Sequence, residues 1–361
     1  MVGDDDELSL RCVYFPAEGL LFGMGDPLLD ILAHTDEAFL KKYNLNPNDA
    51  IRADERHISI YQEMVTKYQV QFIPGGATQN TMRVAQWILQ KPYITTFLGC
   101  IGNDKFGKIL TEKAKEVGVN VHFQISDLEA TGTCAVIVTA KGSNRSLCTT
   151  LGACKMFTNA HLEKPENRAL MEKAKYFYIS GFFLTSALDS FLEVGKHANL
   201  YNKIFAINLA APFICHSFKE PLMKVLPFVD ILFANEMETK AFAEEQNFET
   251  ESLEEIGLKI CSLPKANNNP RLTVITQGPD PVIVVNKSKV TKYPVNQLKN
   301  EDIVDTNGAG DAFVGGFLAQ YLKGKSIEVC VRCGIFAASE ILKQPGCQLP
   351  EHVIFPEEFK S

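Results

Sequence analysis

The stretch Asp305-Thr306-Asn307-Gly308-Ala309-Gly310-Asp311, followed at once by Ala312-Phe313-Val314-Gly315-Gly316-Phe317, predicts both the fold and the chemistry of this chain. Small residues let a backbone approach a ligand closely, and the run after Asp311 predicts a helix whose first N–H groups can bind an anion. A carboxylate repels phosphate, so Asp311 suits a base that accepts a proton from a hydroxyl. The segment therefore predicts phosphoryl transfer to an alcohol, with Gly308, Ala309 and Gly310 as an anion hole.

The simpler interpretation is a capped turn before a buried helix, which accounts less well for seven defined positions. Asp305, at the start of the segment, could cap the turn or serve a cation site, and both roles stay open.

The composition is typical of a globular protein without broad basic surfaces. The chain has 361 residues, of which 46% are hydrophobic and 22% charged, enough for one large domain or two moderate ones. A formal net charge of -7 argues against extended contact with nucleic acid or an anionic membrane. Residues Met1–Glu7 lack the features of a secretory signal, and no apolar run is long enough to span a membrane.

The ten cysteines are scattered along the chain. Cys330 and Cys333 are three apart, but no second pair or histidine cluster accompanies them, which favours reduced thiols in a helix over a metal or redox site. Reduced thiols indicate a reducing compartment, so we expect a cytoplasmic protein, and a nuclear pool is compatible with the same chemistry.

Apolar strands alternate with helix-like stretches, which predicts an α/β fold with a central, mainly parallel sheet flanked by helices. The predicted strands are residues 20–25, 95–102, 176–181, 204–209, 230–235 and 272–276. Several of them end in Gly, Asn or Thr, and ligands of such sheets bind at the carboxyl ends of the strands.

Two segments, residues 31–76 and 122–154, interrupt this alternation. Within the second, Thr131–Thr139 and Arg145–Thr150 flank a turn at Lys141–Asn144, which predicts a hairpin. We predict that the two segments pair into a small β-rich lid. The large catalytic domain is then discontinuous and comprises residues 16–30, 77–121 and 155–361.

Polar residues after the predicted strands are candidates for phosphate and metal binding. Asn235 and Glu238 share a face of a helix, which suits a hydrated Mg²⁺ beside phosphates or, alternatively, a helix cap. Thr276 and Gly278 could contact nucleotide phosphates or form an ordinary turn. Arg145 in the predicted lid could close over phosphate charge or lie exposed on the surface.

Other candidates suit a sugar and a flat base. Asp26 and Asp30 flank a strand end, where a carboxylate can accept hydrogen bonds from two neighbouring hydroxyls or be a solvated turn residue. Asn80 and the backbone of Gly75-Gly76 could form further hydrogen bonds with the sugar. The pair Phe182 and Phe213 could stack on a base or belong to the core.

Together these segments resemble the ribokinase-like, PfkB-type carbohydrate kinase family, in particular its members that act on adenosine. The resemblance runs from about residue 20 to about residue 350. Besides Asp305–Asp311, it is carried by Phe22–Asp30, Gly99–Gly107, Thr131–Ala135, Asn144–Leu147 and Ile231–Glu236. It implies ATP-dependent phosphorylation of the adenosine 5′-hydroxyl in purine salvage, by a monomer that uses Mg²⁺, with K⁺ as a further candidate ion.

The resemblance also implies roles for individual residues, with Asp311 as the base and Arg145 at the phosphate. The implied substrate-binding residues are Asp26, Leu28, Asp30, Gly75, Gly76, Asn80, Cys134, Leu147, Phe182, Phe213 and Asn307. The implied nucleotide-binding residues are Asn235, Thr276, Gly278, Gly308, Gly310 and Phe336. Mg²⁺ falls to Asn235 and Glu238.

Three positions depart from the family pattern. Asp26 stands where Asn is usual and adds negative charge near the ribose, and Ala77 stands where Ser is common and loses a hydroxyl contact. Phe336 stands where some relatives have His near the ATP base. The residues before about Phe15 match no motif of the family and are expected to be disordered.

Two alternative functions stay open at this point. One is a kinase of the same fold that acts on another sugar or nucleoside, such as ribose or inosine, and the lid and Asp26–Asp30 argue against simple sugars. The other is a catalytically silent binding protein, against which the intact Asp305–Asp311 segment argues. A P-loop kinase is unsupported, because no Gly-x-x-x-x-Gly-Lys-[Ser/Thr] motif occurs.

Overall fold

The computed structural model describes residues 17–47, 50–139 and 144–360. The expectation of disorder before Phe15 and most of the predicted turn at Lys141–Asn144 therefore lie outside the described residues. The strands are β1 (Leu21–Met24), β2 (Leu28–His34), β3 (Ala50–Arg52), β4 (Val70–Gly75), β5 (Thr95–Gly102), β6 (Asn120–Ser126), β7 (Thr133–Thr139), β8 (Asn144–Thr150), β9 (Tyr176–Ser180), β10 (Ile204–Asn208), β11 (Ile231–Asn235), β12 (Leu272–Gln277), β13 (Asp280–Asn286) and β14 (Lys289–Tyr293).

Helices follow most of these strands. They are α1 (Glu37–Lys42), α2 (Ile60–Lys67), α3 (Ala77–Leu89), α4 (Lys105–Glu116), α5 (Asn159–Leu162), α6 (Pro165–Lys173), α7 (Leu188–Leu200), α8 (Pro212–Ser217), α9 (Lys219–Val225), α10 (Glu236–Glu245), α11 (Leu253–Ser262), α12 (Ala309–Tyr321) and α13 (Ile327–Leu342). No helix among the described residues has the length and apolar character needed to cross a bilayer.

A nine-stranded sheet in the order β14-β13-β12-β11-β10-β9-β1-β5-β6 forms the large unit. The strands from β12 to β6 pair in parallel, and β13 and β14 add an antiparallel edge. All eight residues of β5 are buried, as expected for a parallel strand covered on both faces. The six predicted strands are confirmed, and with them the α/β fold.

Helices cover both faces of this sheet. On one face α7, α10 and α11 pack through residues such as Val194, Phe242 and Ile256. On the other face α3, α12 and α13 pack through residues such as Val84, Phe317 and Val331. Helix α12, which carries Asp311, therefore lies on the same face of the sheet as α3.

A separate five-stranded sheet in the order β3-β8-β7-β2-β4 forms the small unit. It joins the two interrupting segments, as predicted, and β7 and β8 form the predicted antiparallel hairpin. Helices α1 and α2 cover one face of this sheet through Phe39, Leu40, Ile60 and Met64. The opposite face carries no helix of its own among the described residues.

The boundaries of the small unit differ from the predicted ones at two places. Residues 28–30, assigned to the large domain, belong to β2, because its backbone pairs with β4 and β7 of the small sheet. Residues 122–126, assigned to the lid, belong to β6, because it pairs with β5 at the edge of the large sheet. Hydrophobic alternation alone does not tell which sheet a strand joins.

Helices α12 and α13 lie unusually close to each other because glycine stands at their contact. A Cβ at Gly316 would lie 2.5 Å from the carbonyl oxygen of Cys333, which leaves no room for alanine. Gly310, in the first turn of the same helix, has open space around its Cα. The pair offers a matched test of this packing.

We expect Gly316→Ala to lower the free energy of unfolding by about 1–3 kcal/mol, because the helices must move apart. Gly310→Ala should cost no stability, since its methyl group meets nothing. Chemical denaturation of both variants measures the difference. Equal stability of the two variants would contradict the packing described for α12 and α13.

Candidate active site

The site is built around the amino-terminal end of α12. Gly308 caps the helix with a φ of 78°, a left-handed conformation that favours glycine. A Cβ there would also lie 2.8 Å from Cβ of Cys347. The Ala309 N–H donates to the Thr306 carbonyl oxygen at 3.4 Å, and the start of the helix carries the positive end of the helix dipole.

Asp311 lies in this first turn and is tied to α3. Its Oδ2 accepts a hydrogen bond of 3.0 Å from Nδ2 of Asn80, and its backbone carbonyl accepts one of 3.2 Å from the Thr81 hydroxyl. Asn80 is 7% exposed, and its Oδ1 has no partner among the described residues. Asn80 and Thr81 of α3 thus hold the side chain and the backbone of Asp311 on α12.

The environment of Asp311 suits a base that works near neutral pH. Burial is the main cause that raises its pKa from 3.8 to about 7, and the hydrogen bond from Asn80 opposes this shift. The nearby carboxylates of Glu238 and Asp30 raise it further. A carboxyl group with this pKa can accept a proton at neutral pH more readily than an exposed aspartate can.

Gly75 and Gly76 form the segment, called here the glycine passage, by which the chain leaves the small sheet and enters α3. A Cβ at Gly75 would collide with the Asp30 carboxylate, and one at Gly76 would collide with the carbonyl oxygen of Asp26. Gly76 also has a φ of 89°, and its carbonyl accepts the Asn80 N–H at 2.9 Å, which starts α3. The two glycines therefore let Asp26 and Asp30 lie directly beside the backbone that leads to Asn80.

Asp26 is buried and Asp30 is half-buried. Burial raises the pKa of each carboxyl from 3.8 to about 7. Ser186 and Arg52 partly offset the shift at Asp26, and Arg145 partly offsets it at Asp30. One oxygen of Asp26, Oδ1, is buried without a hydrogen-bond partner among the described residues.

The helix-free face of the small sheet presents the other substrate candidates. Directly paired residues share a face, and Asp30 pairs with Cys134. Leu147 pairs with Val136 and Arg145 with Val138, which lie on that same face by the alternation of a strand. The structure therefore brings Asp30, Cys134, Leu147 and Arg145 together. Leu28 lies at its edge, opposite Gly75.

Arg145 connects this face to the Asp305–Asp311 loop. Its Nη1 lies 2.8 Å from Oδ2 of Asp305, and the two side chains are 17% and 1% exposed. The alternative of an exposed surface arginine is therefore wrong. Asp305 also accepts the N–H groups of Asn307 at 3.0 Å and Gly346 at 2.5 Å, so it organises the loop.

Asn235 and Glu238 form a reciprocal helix cap at the start of α10. Oδ1 of Asn235 accepts the Glu238 N–H at 2.8 Å, and Oε2 of Glu238 accepts the Asn235 N–H at 3.0 Å. Oε1 of Glu238 accepts from Nδ2 of Asn235 at 2.8 Å. These hydrogen bonds form the helix cap that the sequence offered as the alternative, and each carboxylate oxygen keeps a lone pair.

The remaining candidates lie around the strand ends. Thr276 is the last residue but one of β12, and Gly278, with a φ of 55°, has open space around it. Phe182 and Phe213 are 36% and 47% exposed, with ring centroids 6.1 Å apart. Phe336 instead packs among aromatic side chains. Its ring neighbours are Trp87, Phe355 and Phe359.

Two elements of the site were not anticipated from the sequence. Arg83 is 5% exposed in α3 and lies beside Asp30. The corner at Gly346-Cys347 packs under Asp305 and Gly308. A lone charged residue between Met82 and Val84 in an apolar helix was the available signal for Arg83, whereas the corner gave none.

The chain matches the family model described as pfkB family carbohydrate kinase over residues 40–353. It is 50% identical over 335 residues to adenosine kinase 2 of Arabidopsis thaliana, and the alignment covers 92% of this chain and 96% of the relative.

Two solved structures extend this likeness to three dimensions. Adenosine kinase of Anopheles gambiae, in complex with a di(adenosine-5) tetraphosphate, is 48% identical, with a TM-score of 0.85 and coverage of 92% of this chain and 97% of that chain. Adenosine kinase of Schistosoma mansoni, in complex with adenosine in an occluded loop conformation, is 36% identical, with a TM-score of 0.86 and coverage of 93% and 98%.

The burial of Asp26 predicts a pH-dependent stability. Because its pKa is raised from 3.8 to about 7 in the folded protein, the folded state binds this proton more tightly than the unfolded chain does. Its contribution to stability is therefore greatest at low pH and is lost as pH rises from about 4 to about 7. Asp26→Asn removes the charge and keeps the shape.

We expect Asp26→Asn to raise the free energy of unfolding by roughly 1–4 kcal/mol near pH 8, and the gain should shrink as pH falls toward about 4. Denaturation at several pH values, without ligand, measures this. Asp189→Asn, at an exposed residue, is the control and should show no such trend. A gain of the same size at every pH would contradict the assignment.

Proposed function

Because the chain belongs to the pfkB family of carbohydrate kinases, we propose that it transfers the γ-phosphoryl group of ATP to the 5′-hydroxyl of adenosine. Adenosine as the acceptor is supported by the likeness to adenosine kinases over 92% of the chain. The products are AMP and ADP, which corresponds to a step of purine salvage. The proposal includes a monomeric enzyme of a reducing, cytoplasmic compartment, and the nine free cysteines of the described residues agree with that.

The observation that carries the proposal is the contact between Asn80 and Asp311. It holds a half-buried carboxylate with a pKa of about 7 in the first turn of α12, beside N–H groups that can bind an anion. A base and an anion hole on adjacent residues are what attack of a hydroxyl on a phosphoryl group requires.

The nucleoside is proposed to bind between the small sheet and the start of α3. Asp30 can accept hydrogen bonds from two neighbouring ribose hydroxyls, and the unpartnered Oδ1 of Asn80 can accept one more. Cys134 and Leu147 give the base an apolar surface on the small sheet, and the exposed faces of Phe182 and Phe213 supply a second one.

The chemical step needs one proton acceptor and charge stabilisation. Asp311 accepts the proton of the 5′-hydroxyl while its oxygen attacks the γ-phosphorus of ATP. The bond from the γ-phosphorus to the oxygen that bridges to the β-phosphorus breaks, and ADP leaves with the electron pair. The N–H groups of Gly308, Ala309 and Gly310 stabilise the charge on the transferred group.

Arg145 couples the small sheet to this chemistry. Its ion pair with Asp305 holds the sheet against the loop that contains the anion hole. Movement of the small sheet over the nucleoside therefore also changes the loop, and a closed sheet would exclude water from the phosphoryl group. Arg145 is proposed to contact phosphate because it lies between the small sheet and the anion-hole loop.

Magnesium enters the proposal as the hydrated ion bound to the ATP phosphates, with Asn235 and Glu238 as the residues that organise it. Each carboxylate oxygen of Glu238 accepts one hydrogen bond from Asn235 and keeps a lone pair for a water of the ion. Mg²⁺ keeps several waters and is commonly carried by substrate phosphates. A K⁺ requirement stays a prediction from the resemblance.

We expect Asp311→Asn to lower kcat by roughly 10²–10⁴-fold, because the amide cannot accept the proton. The fold should be kept, since the amide has the shape of the carboxylate. A coupled assay of ADP release with adenosine and ATP measures the loss, and Asp189→Asn is the matched control. Near-normal activity of Asp311→Asn would show that another group is the base.

The same assay with adenosine, inosine, ribose and fructose tests the substrate. Activity confined to adenosine supports the proposal. Activity on a simple sugar would keep the mechanism and replace the substrate, and no activity on any of the four would favour a silent binding protein.

A further inference from the structure

Arg83 is a buried cation that the proposed chemistry leaves without a role. It lies in the middle of α3, is 5% exposed, and its Nη1 donates to two backbone carbonyls. These belong to Pro74 at 3.3 Å and Cys347 at 3.1 Å. The two acceptors are far apart in the chain and belong to different parts of the site.

The Pro74 carbonyl lies in the part of the site where the nucleoside is proposed to bind. Pro74 lies in β4 directly before Gly75-Gly76, the pair that packs against Asp30 and Asp26 and starts α3. A shift of Pro74 would therefore move the passage through which the small sheet joins the large unit.

The Cys347 carbonyl lies in the part of the site where phosphoryl transfer is proposed to take place. Its neighbour Gly346 donates to Oδ2 of Asp305 at 2.5 Å, and Cys347 itself packs so closely on Gly308 that a Cβ there would lie 2.8 Å away. The corner at Gly346-Cys347 thus supports the loop that forms the anion hole. One nitrogen of Arg83 holds both sides.

Burying a guanidinium group at this position lowers the free energy of unfolding, unless its charge and its donors are fully paired. Burial lowers the pKa of Arg83, and its Nε has no hydrogen-bond partner among the described residues. A buried charge without full pairing usually destabilises a fold by several kcal/mol, so stability alone is a poor reason for its presence. The positive charge does act on Asp30, whose pKa it lowers against the effect of burial.

We propose that Arg83 is a positioning residue that fixes the glycine passage, through Pro74, relative to the anion-hole loop, through Cys347. Its positive charge also favours the ionised Asp30 carboxylate, which accepts hydrogen bonds from ribose hydroxyls. The proposal rests on the proposed function, since it assigns Asp30 to the nucleoside. It gives Arg83 two separable actions: hydrogen bonding to the carbonyls and a charge beside Asp30.

Several charged or titratable groups face Asp30 and must be counted in any pH dependence. They are Arg83 from α3, Arg145 from β8, Cys134 from β7, Asp305 and Asp311 at the start of α12, and Cys347 from the corner. Of these, Arg83 and Arg145 are the ones that lower the pKa of Asp30.

The test uses three variants that separate the two actions. Arg83→Lys keeps the charge and a donor, Arg83→Gln keeps a donor without the charge, and Arg83→Met keeps neither. Arg168→Met, at a residue that pairs with Glu172 and Glu193 away from the site, is the control. For each protein, the dissociation constant of adenosine without ATP is measured from about pH 6 to about pH 9, and kcat is measured with ATP.

We expect Arg83→Gln to bind adenosine several-fold more weakly than wild type near pH 6 and equally well near pH 9. Loss of the charge raises the pKa of Asp30, so its ionised form is reached only at higher pH. Arg83→Lys should follow the wild-type pH dependence. Arg83→Met should in addition lose roughly 10–100-fold in kcat, since the two halves of the site are no longer held in register.

The possible outcomes separate this inference from the proposed function. Wild type that neither binds nor phosphorylates adenosine overturns the proposed function, and this inference with it. Wild type that is active overturns the inference alone if Arg83→Gln and Arg83→Lys share one pH dependence of binding, or if Arg83→Met keeps the wild-type kcat. If Arg83→Met does not fold, the comparison of Gln with Lys still tests the charge beside Asp30.

Discussion

The hydrogen bond from Asn80 to Asp311 is the contact on which the arrangement of the site depends. It joins the start of α3, which follows the glycine passage from the small sheet, to the start of α12, which presents the anion hole. The same pair of helices packs on one face of the large sheet, so the sheet fixes the distance between sugar side and phosphate side. A reaction between two bound substrates needs that fixed distance more than it needs any single strong interaction.

The electrostatics of the site follow from this packing. Burial raises the pKa values of Asp26, Asp30 and Asp311 to about 7, and the guanidinium groups of Arg145 and Arg83 oppose the rise at Asp30. Three buried carboxyl groups with raised pKa values disfavour the free folded state above neutral pH. Sites that sacrifice stability in this way are common where function requires it, and a ligand with hydroxyl donors would relieve the cost.

Much of the fold was predictable from local sequence. Buried parallel strands such as β5 and β9 are continuous apolar runs, and the hairpin of β7 and β8 has two strand-like segments separated by turn residues. The Asp305–Asp311 segment also predicted the helix start, because a helix terminus depends on a few adjacent residues.

The rest depends on contacts between distant segments, which local patterns do not record. The pairing of β2 with the small sheet, the ion pair of Arg145 with Asp305 and the bridge from Arg83 to Cys347 each join residues far apart in sequence. The pattern at Asn235 and Glu238 fitted both a metal site and a helix cap, and the hydrogen bonds form the cap.

The pH dependence of kcat, with adenosine and ATP both saturating, tests the central claim most directly. If Asp311 is the base and burial sets its pKa, kcat should be low in acid, rise through about pH 7 and reach a plateau in mild alkali. A kcat that stays constant from about pH 5 to about pH 9, with chemistry shown to limit the rate, would contradict the account.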